Sequence, residues 1–189
     1  MRTEAARQAE RGFRLRLMFE DEARFGQMRE PRRAWVPPGV RPLVGRRIER
    51  EYSYAYAAVS PHDGALVSLV LPEANAELMS LFLAEVARRY TRTFLLVVLD
   101  GAGWQRAKDL VIPANRRLEP LPARSPELNP AEHLWEEIRE KWLGNQLFLH
   151  QQAGERQVEK GLAALEGDPQ RVASLAGFRW IQSIPLTAM

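Results

Sequence analysis

From Arg14 to Asp21 polar and apolar residues alternate, with Leu15, Leu17 and Phe19 on one face and Arg14, Arg16 and Met18 on the other. A period of two is that of a strand. Asp21 falls on the apolar face at the end of this strand. Glu51 to Ser60 reads as a second strand, with Tyr52, Tyr54 and Tyr56 on one face. Pro61-His62-Asp63-Gly64 is a turn, and Ala65 to Leu71 returns as a third strand, so 52–71 is a predicted hairpin. Between Ala74 and Tyr90, Leu78, Leu81, Phe82 and Val86 recur at helical spacing. Phe94 to Leu99 is apolar throughout, as a central parallel strand buried on both faces requires, and Asp100 ends it.

Beyond Asp100 the pattern weakens. It predicts a short helix over Trp104 to Lys108, a short strand near Val111 and a Pro-rich loop over 119–130. A helix then starts at Asn129-Pro130, since Asn caps and Pro suits the first helical position, and runs to about Leu143. Amphipathic helices follow near 153–165 and 168–176. Residues 1–11 read as a polar arm or frayed helix. Residues 24–50, rich in Arg and Pro, read as a short hairpin around Trp35 followed by an extended basic loop. Antiparallel strands, then strand–helix alternation, then helices, fit one mixed α/β sheet covered by helices.

Composition narrows the chemistry. The chain has 189 residues, enough for one domain with a sizeable core, and no Cys. That excludes a disulfide scaffold, a cysteine-ligated zinc site and a thiol nucleophile. No apolar run approaches the roughly 18 residues of a membrane span. The charged N-terminus lacks the apolar stretch of a signal peptide. The expectation is a soluble, cytoplasmic protein. Net charge is only +3, but its distribution is uneven: residues 1–50 hold 13 Arg against 7 acids. Arg offers a rigid fork of donors suited to phosphate, so a basic first quarter is a candidate nucleic-acid footprint. A solvated surface in an Arg-rich chain gives the same composition.

Three acids stand where such a fold brings them together. Asp21 ends the first strand. Asp100 ends the buried strand, and α/β sheets place their sites at the carboxyl ends of strands. Glu132 lies in the first turn of a helix. Clustered carboxylates repel one another, and a hard divalent cation such as Mg²⁺ or Mn²⁺ relieves that repulsion. Each acid also has a purely structural reading. Asp21 can be a strand-end turn residue among acidic neighbours, Asp100 a cap for the turn at Gly101 and Gly103, and Glu132 a capping-box glutamate for Asn129.

The segments FEDEARFG (19–26), VVLDGAGWQRA (97–107) and LPARSPELNPAEHLWEEI (121–138) resemble the three catalytic motifs of DDE transposases, closest to the bacterial insertion-sequence enzymes of the mariner superfamily. The third is the most specific, with Ser125-Pro126-Glu127-Leu128-Asn129-Pro130 followed by Glu132 and Trp135. The 31 residues between Asp100 and Glu132 are slightly short for that superfamily. Gly101 stands where many relatives have Asn, and Gln105 where many have His. The resemblance implies a ribonuclease-H-like fold, a mixed five-stranded sheet flanked by helices. It implies metal-dependent DNA cleavage at transposon ends and strand transfer into target DNA. Asp21, Asp100 and Glu132 would be the catalytic, metal-holding acids, with two Mg²⁺ ions that Mn²⁺ can replace.

The basic segment would clamp double-stranded DNA through Arg24, Arg32, Arg33, Arg46 and Arg47, with Trp35 stacking on a base or acting as a wedge. Packing of Trp35 on the sheet is the competing reading. Trp135 and Trp142, seven apart on one helix, read as core. His133 is turned aside from Glu132, and His62 reads as structural. Because about 13 residues precede the first strand, residues 1–189 are expected to be a single catalytic domain without an end-recognition helix-turn-helix module. It would be one frame of a split element, working as a homodimer on DNA with a separate end-recognition polypeptide, nucleoid-associated and without a membrane partner. Two alternatives stay open: a catalytically weak DNA-binding transposase fragment, and a ribonuclease-H-type nuclease.

Overall fold

The computed structural model describes residues 12–26, 35–41, 43, 51–101 and 109–184. Five strands form one sheet: β1 (Arg14–Gly26), β2 (Tyr52–Val59), β3 (Leu66–Leu71), β4 (Thr93–Leu99) and β5 (Arg116–Pro120), in the order β3-β2-β1-β4-β5. β1, β2 and β3 are antiparallel neighbours, while β4 runs parallel to both β1 and β5. The helices are α1 (Ala76–Arg89), α2 (Glu132–Glu137), α3 (Gln151–Glu166), α4 (Pro169–Ala176) and α5 (Arg179–Gln182). α2 continues as a π-helical turn, Ile138–Trp142. This is the expected ribonuclease-H-like arrangement.

The strand period assigns the two faces. Leu17, Phe19, Ala23 and Phe25 of β1 pack with Leu96 of β4 against Trp135, Val158, Leu162 and Val172 of the C-terminal helices. Met18 of β1 packs on the opposite face with Tyr56, Leu95 and Val97 against Met79, Phe82 and Val86 of α1. β1 is therefore buried on both sides, which the Arg14, Arg16 and Met18 face had not announced. Close packing depends on glycine at several positions, Gly161 and Gly64 among them. A Cβ at Gly161 of α3 would lie 2.6 Å from Ile138 Cδ1 and 2.8 Å from Trp142 Cγ. Gly64 has φ +70° in the hairpin turn, and a Cβ there would collide with the Pro169 carbonyl.

The last strand lies further along than its pattern suggested. Val111 is exposed and outside any strand, and β5 begins at Arg116. Arg116-Arg117-Leu118-Glu119-Pro120 has little apolar signal, and its strand state comes from pairing with Leu95 to Leu99 of β4. β1 also runs longer than its alternation, through Arg24 to Gly26, paired with Tyr52 to Tyr54 of β2. The segment 35–41 holds a turn closed by the Val40 N–H on the Pro37 carbonyl at 3.1 Å, with no strand among these residues. The expectations for residues 1–11, for the helix at Trp104 to Lys108 and for Gln105 lie outside the described residues. Among the described residues no helix is long and apolar enough to cross a membrane.

Candidate active site

β1 and β4 part company at the carboxyl end of β4. Their pairing ends at Phe19 opposite Val98. The same offset carried two residues further falls on Asp21 and Asp100, where the strands diverge, and the charge of Asp100 acts on Asp21. Asp21 shares the face of Leu17 and Phe19, the face that α2 covers, and Asp100, one residue past β4, lines the same cleft as Asp21 while its charge also reaches Glu20 and Glu22. The chain leaving β5 crosses this end of the sheet, with the Leu121 N–H on the Leu99 carbonyl at 2.7 Å. It then turns through a short 3₁₀ segment, Pro126–Leu128, into α2. The result is a cleft of about 100 Å³ lined by Asp21, Asp100, Glu132, Arg124, Ser125 and Asn129, among others. The three acids predicted from the sequence thus line one cleft from three separate segments. They are not drawn tightly together: no group of three His, Asp or Glu side chains among the described residues is close enough to form a ready-made metal cage.

The helix carrying Glu132 is anchored at several points. Asn129 is buried; its side-chain amide donates to the Glu20 carbonyl of β1 at 3.1 Å and its oxygen accepts from the Ala131 N–H at 3.2 Å. Those bonds postpone α2 to Glu132, three residues after the expected start at Asn129-Pro130. His133 places its Nδ1 3.0 Å from the Leu175 carbonyl and its ring against Phe178. Glu137 takes a two-pronged bond from Arg171 of α4 and a salt bridge from Lys141. The Trp135 indole N–H donates to Asp21 Oδ2 at 2.8 Å. Sequence patterning assigned Trp135 to the core, where it is, but carried no sign of this bond.

Burial and the charges of Glu132 and Asp100 raise the Asp21 pKa from 3.8 to about 7, against the lowering effect of the Trp135 bond. Glu20 and Glu22 project to the other face of β1. Burial first, then neighbouring acids, raises Glu22 to about 8 and Glu20 well above the usual carboxylate range. The two carboxyl groups are buried together, with a hydrogen bond between them that raises Glu20 and lowers Glu22 against the larger effect of burial. The sequence had marked Glu20 and Glu22 only as ordinary acidic neighbours.

Arg124 was missed. It is the cationic side chain among the described lining residues, it is exposed, and it holds φ 62°, a strained left-handed conformation for a non-glycine residue. Nothing in its sequence context signals that backbone.

The expected DNA contacts divide. Arg24 is on β1 rather than in a loop, on the face opposite Asp21, with its guanidinium 4.5 Å from the centre of the Tyr52 ring. It stands three positions after Asp21, an odd offset along the strand, so the pleat turns it away from the cleft. Trp35 is fully exposed and does not pack on the sheet. Arg32, Arg33, Arg46 and Arg47 lie outside the described residues. His62 is structural, its Nε2 3.3 Å from the Ile184 carbonyl.

Asp21 does not end its strand as expected but lies inside β1, just past the last residue paired with β4, and Asp100 follows directly on β4; two such aspartates with a third acid brought in on a helix are the layout of a ribonuclease-H-like nuclease core. The profile of the DDE superfamily endonucleases matches residues 16–153, and the chain belongs to that family. An uncharacterized protein of Sinorhizobium fredii (strain NBRC 101917 / NGR234), y4pE/y4sA, is 41% identical over 98 residues, covering 51% of this chain and 73% of the relative. Among solved structures the Mos1 strand transfer complex superposes with a TM-score of 0.59 at 19% identity, over 93% of this chain and 59% of the Mos1 chain. The Mos1 mariner paired-end complex with Mn gives 0.56 at 17% identity, over 86% and 56%. The catalytic core domain of BIV integrase gives 0.51 at 13% identity, over 84% and 93%. This chain therefore spans about three-fifths of the Mos1 chains it resembles, and the resemblance to these structures is one of fold.

Proposed function

We propose that the chain is the catalytic domain of a DNA transposase, cleaving phosphodiester bonds at transposon ends and joining them to target DNA with divalent metal. The observation that carries this reading is the convergence of Asp21, Asp100 and Glu132 on one cleft in a chain of the DDE endonuclease family. The donor set fits such an ion: the cleft offers three carboxylates, all hard oxygen donors, burial and the charges of Glu132 and Asp100 raise the proton affinity of Asp21, and Arg124 is the cation at hand. Asp21, Asp100 and Glu132 would hold Mg²⁺ or Mn²⁺, two ions in the full site. When bound, such an ion would activate the attacking oxygen and offset charge on the transferred phosphoryl group.

The protein's own contribution is positioning. The diverging strands fix Asp21 beside Asp100, and anchored α2 presents Glu132 from the other side. Arg124 at the lip donates to a phosphate oxygen entering the cleft. Its strained backbone is held by the turn that leads to Ser125-Pro126. The arginines of 24–50 other than Arg24, with exposed Trp35, carry the DNA backbone toward the cleft. The DNA-bound form is a dimer.

The test is nicking of supercoiled plasmid in Mn²⁺ or Mg²⁺. Wild type nicks duplex DNA, and Asp100→Asn, which keeps size and removes charge, loses nicking while retaining DNA binding. Unchanged nicking by Asp100→Asn removes Asp100 from the reaction. Preference for an RNA–DNA hybrid over duplex would instead favour a ribonuclease-H-type nuclease.

A further inference from the structure

We infer that Trp135 is a positioning residue for Asp21, acting through the hydrogen bond from its indole N–H to the carboxylate; the assignment rests on the metal-dependent reading above. Trp135 is 1% exposed and donates to Asp21 Oδ2 at 2.8 Å. Its ring is held edge-on by Phe25, at 6.1 Å between ring centres, four residues along the same face of β1 as Asp21. Glu132 lies three residues before Trp135 on the same helix. Asn129, three residues before Glu132, donates to the carbonyl of Glu20, next to Asp21. The segment that presents Glu132 is therefore fastened to β1 on both sides of that glutamate, at two consecutive β1 residues. One rigid helical turn thereby carries one metal-holding acid and fixes the rotamer of another.

The choice of donor matters. An indole N–H only donates, and it is neutral. It orients the carboxylate and leaves its negative charge available to a dication. A Lys or Arg in the same place would cancel that charge and compete with the metal. Partners that orient metal-binding side chains are worth roughly 10- to 100-fold in affinity when removed.

The experiment measures Mn²⁺ binding directly by calorimetry on the whole chain without DNA, with thermal melts alongside. Asp21→Asn identifies the part of Mn²⁺ binding that belongs to the cleft. Trp135→Phe keeps an aromatic ring and removes the donor. Trp135→His loses the outer ring, but its Nε2 falls where the indole nitrogen was. A positioning role predicts that Trp135→Phe loses about 10-fold or more in Asp21-dependent Mn²⁺ affinity, and that Trp135→His retains more affinity than Trp135→Phe despite poorer packing. A merely structural role predicts the reverse order. Val86→Ala, in the core on the opposite face of the sheet, should lower the melting temperature and leave Mn²⁺ affinity unchanged.

Asp21-dependent binding that is equal in wild type and Trp135→Phe overturns the positioning role alone. No Asp21-dependent binding in wild type overturns the metal reading and this inference with it. Should Trp135→Phe not fold, the comparison of Trp135→His with wild type decides. Retained affinity supports the role, and lost affinity in a folded protein overturns it.

Discussion

Asp21 and Glu20 are neighbours on β1 and face opposite sides of the sheet. Asp21 opens onto the cleft, is oriented by Trp135, and shares its surroundings with Glu132 and Asp100. Glu20 is fully buried on the α1 face, with the Glu22 carboxyl group as its hydrogen-bonding neighbour. Both are raised above their ordinary pKa, with burial as the first cause. A perturbed carboxylate is therefore a poor guide to function by itself. What separates the two is access to a cleft and a neutral donor that fixes geometry without removing charge.

The sharpest way to break this comparison is to neutralise each acid in turn. Asp21→Asn should reduce plasmid nicking on the order of 10³-fold, as expected when a group holding the reacting centre is lost. Glu20→Gln should leave the nicking rate within about threefold, because the Asn129 bond is to the Glu20 backbone. Equal losses in a gel-based rate assay would mean that both faces of β1 serve the reaction.

A smaller effect is expected at the lip of the cleft. Arg124→Ala should slow nicking by about 100-fold, the scale of a lost oxyanion donor. Being exposed, the same change should leave the melting temperature within about 2 °C. Unchanged single-turnover kinetics would remove Arg124 from the phosphate path.

The smallest effect is on stability and runs opposite to ordinary acid denaturation. Asp21, raised to about 7, and Glu22, raised to about 8, keep protons in the folded chain that the unfolded chain has already released. Folding is then linked to proton uptake, so stability is highest below the unfolded pKa values, falls as pH rises through the window up to about 8, and levels off above it. Glu85 and Glu137 are lowered by arginine partners and act in the other direction, but only below the usual carboxylate range. In EDTA the melting temperature should fall by on the order of 5 °C between pH 5 and pH 8. Glu22→Gln should flatten that slope; a melting temperature that rises over this window would place the buried acids in their ordinary ionised state.

The parts of this molecule that announce themselves in the sequence are those whose local pattern and tertiary setting agree. The β2–β3 hairpin, α1 and β4 were legible because alternation, helical spacing or continuous burial were uninterrupted. Asp21 was correctly placed on the apolar face because a pleat has only two sides. Burial of Glu20 and Glu22 was not legible, since α1 covers a face that opens with Arg14 and Arg16. β5 was misplaced for the converse reason: Val111 looks like a strand residue and is exposed, whereas Arg116 and Arg117 do not and are paired. The convergence of the three acids was legible through motif resemblance more than through spacing. The Trp135 bond was not, because a core aromatic and a core aromatic with a partner have the same pattern.

Glu166, at the end of α3, takes both the N–H and the hydroxyl of Ser68 at 2.7 Å and a salt bridge from Arg89 at 3.0 Å. Ser68 lies on β3, at one margin of the sheet. At the other margin, β5 carries an Arg117–Glu119 ion pair and ends on Pro120, which has no N–H to offer. Neither margin presents a clean row of backbone groups to another chain. Nucleic acid concentrates whatever binds it, and crowded sheets with open margins zip together into insoluble stacks. Capping those margins with a carboxylate and a proline keeps crowded copies of this sheet from joining edge to edge.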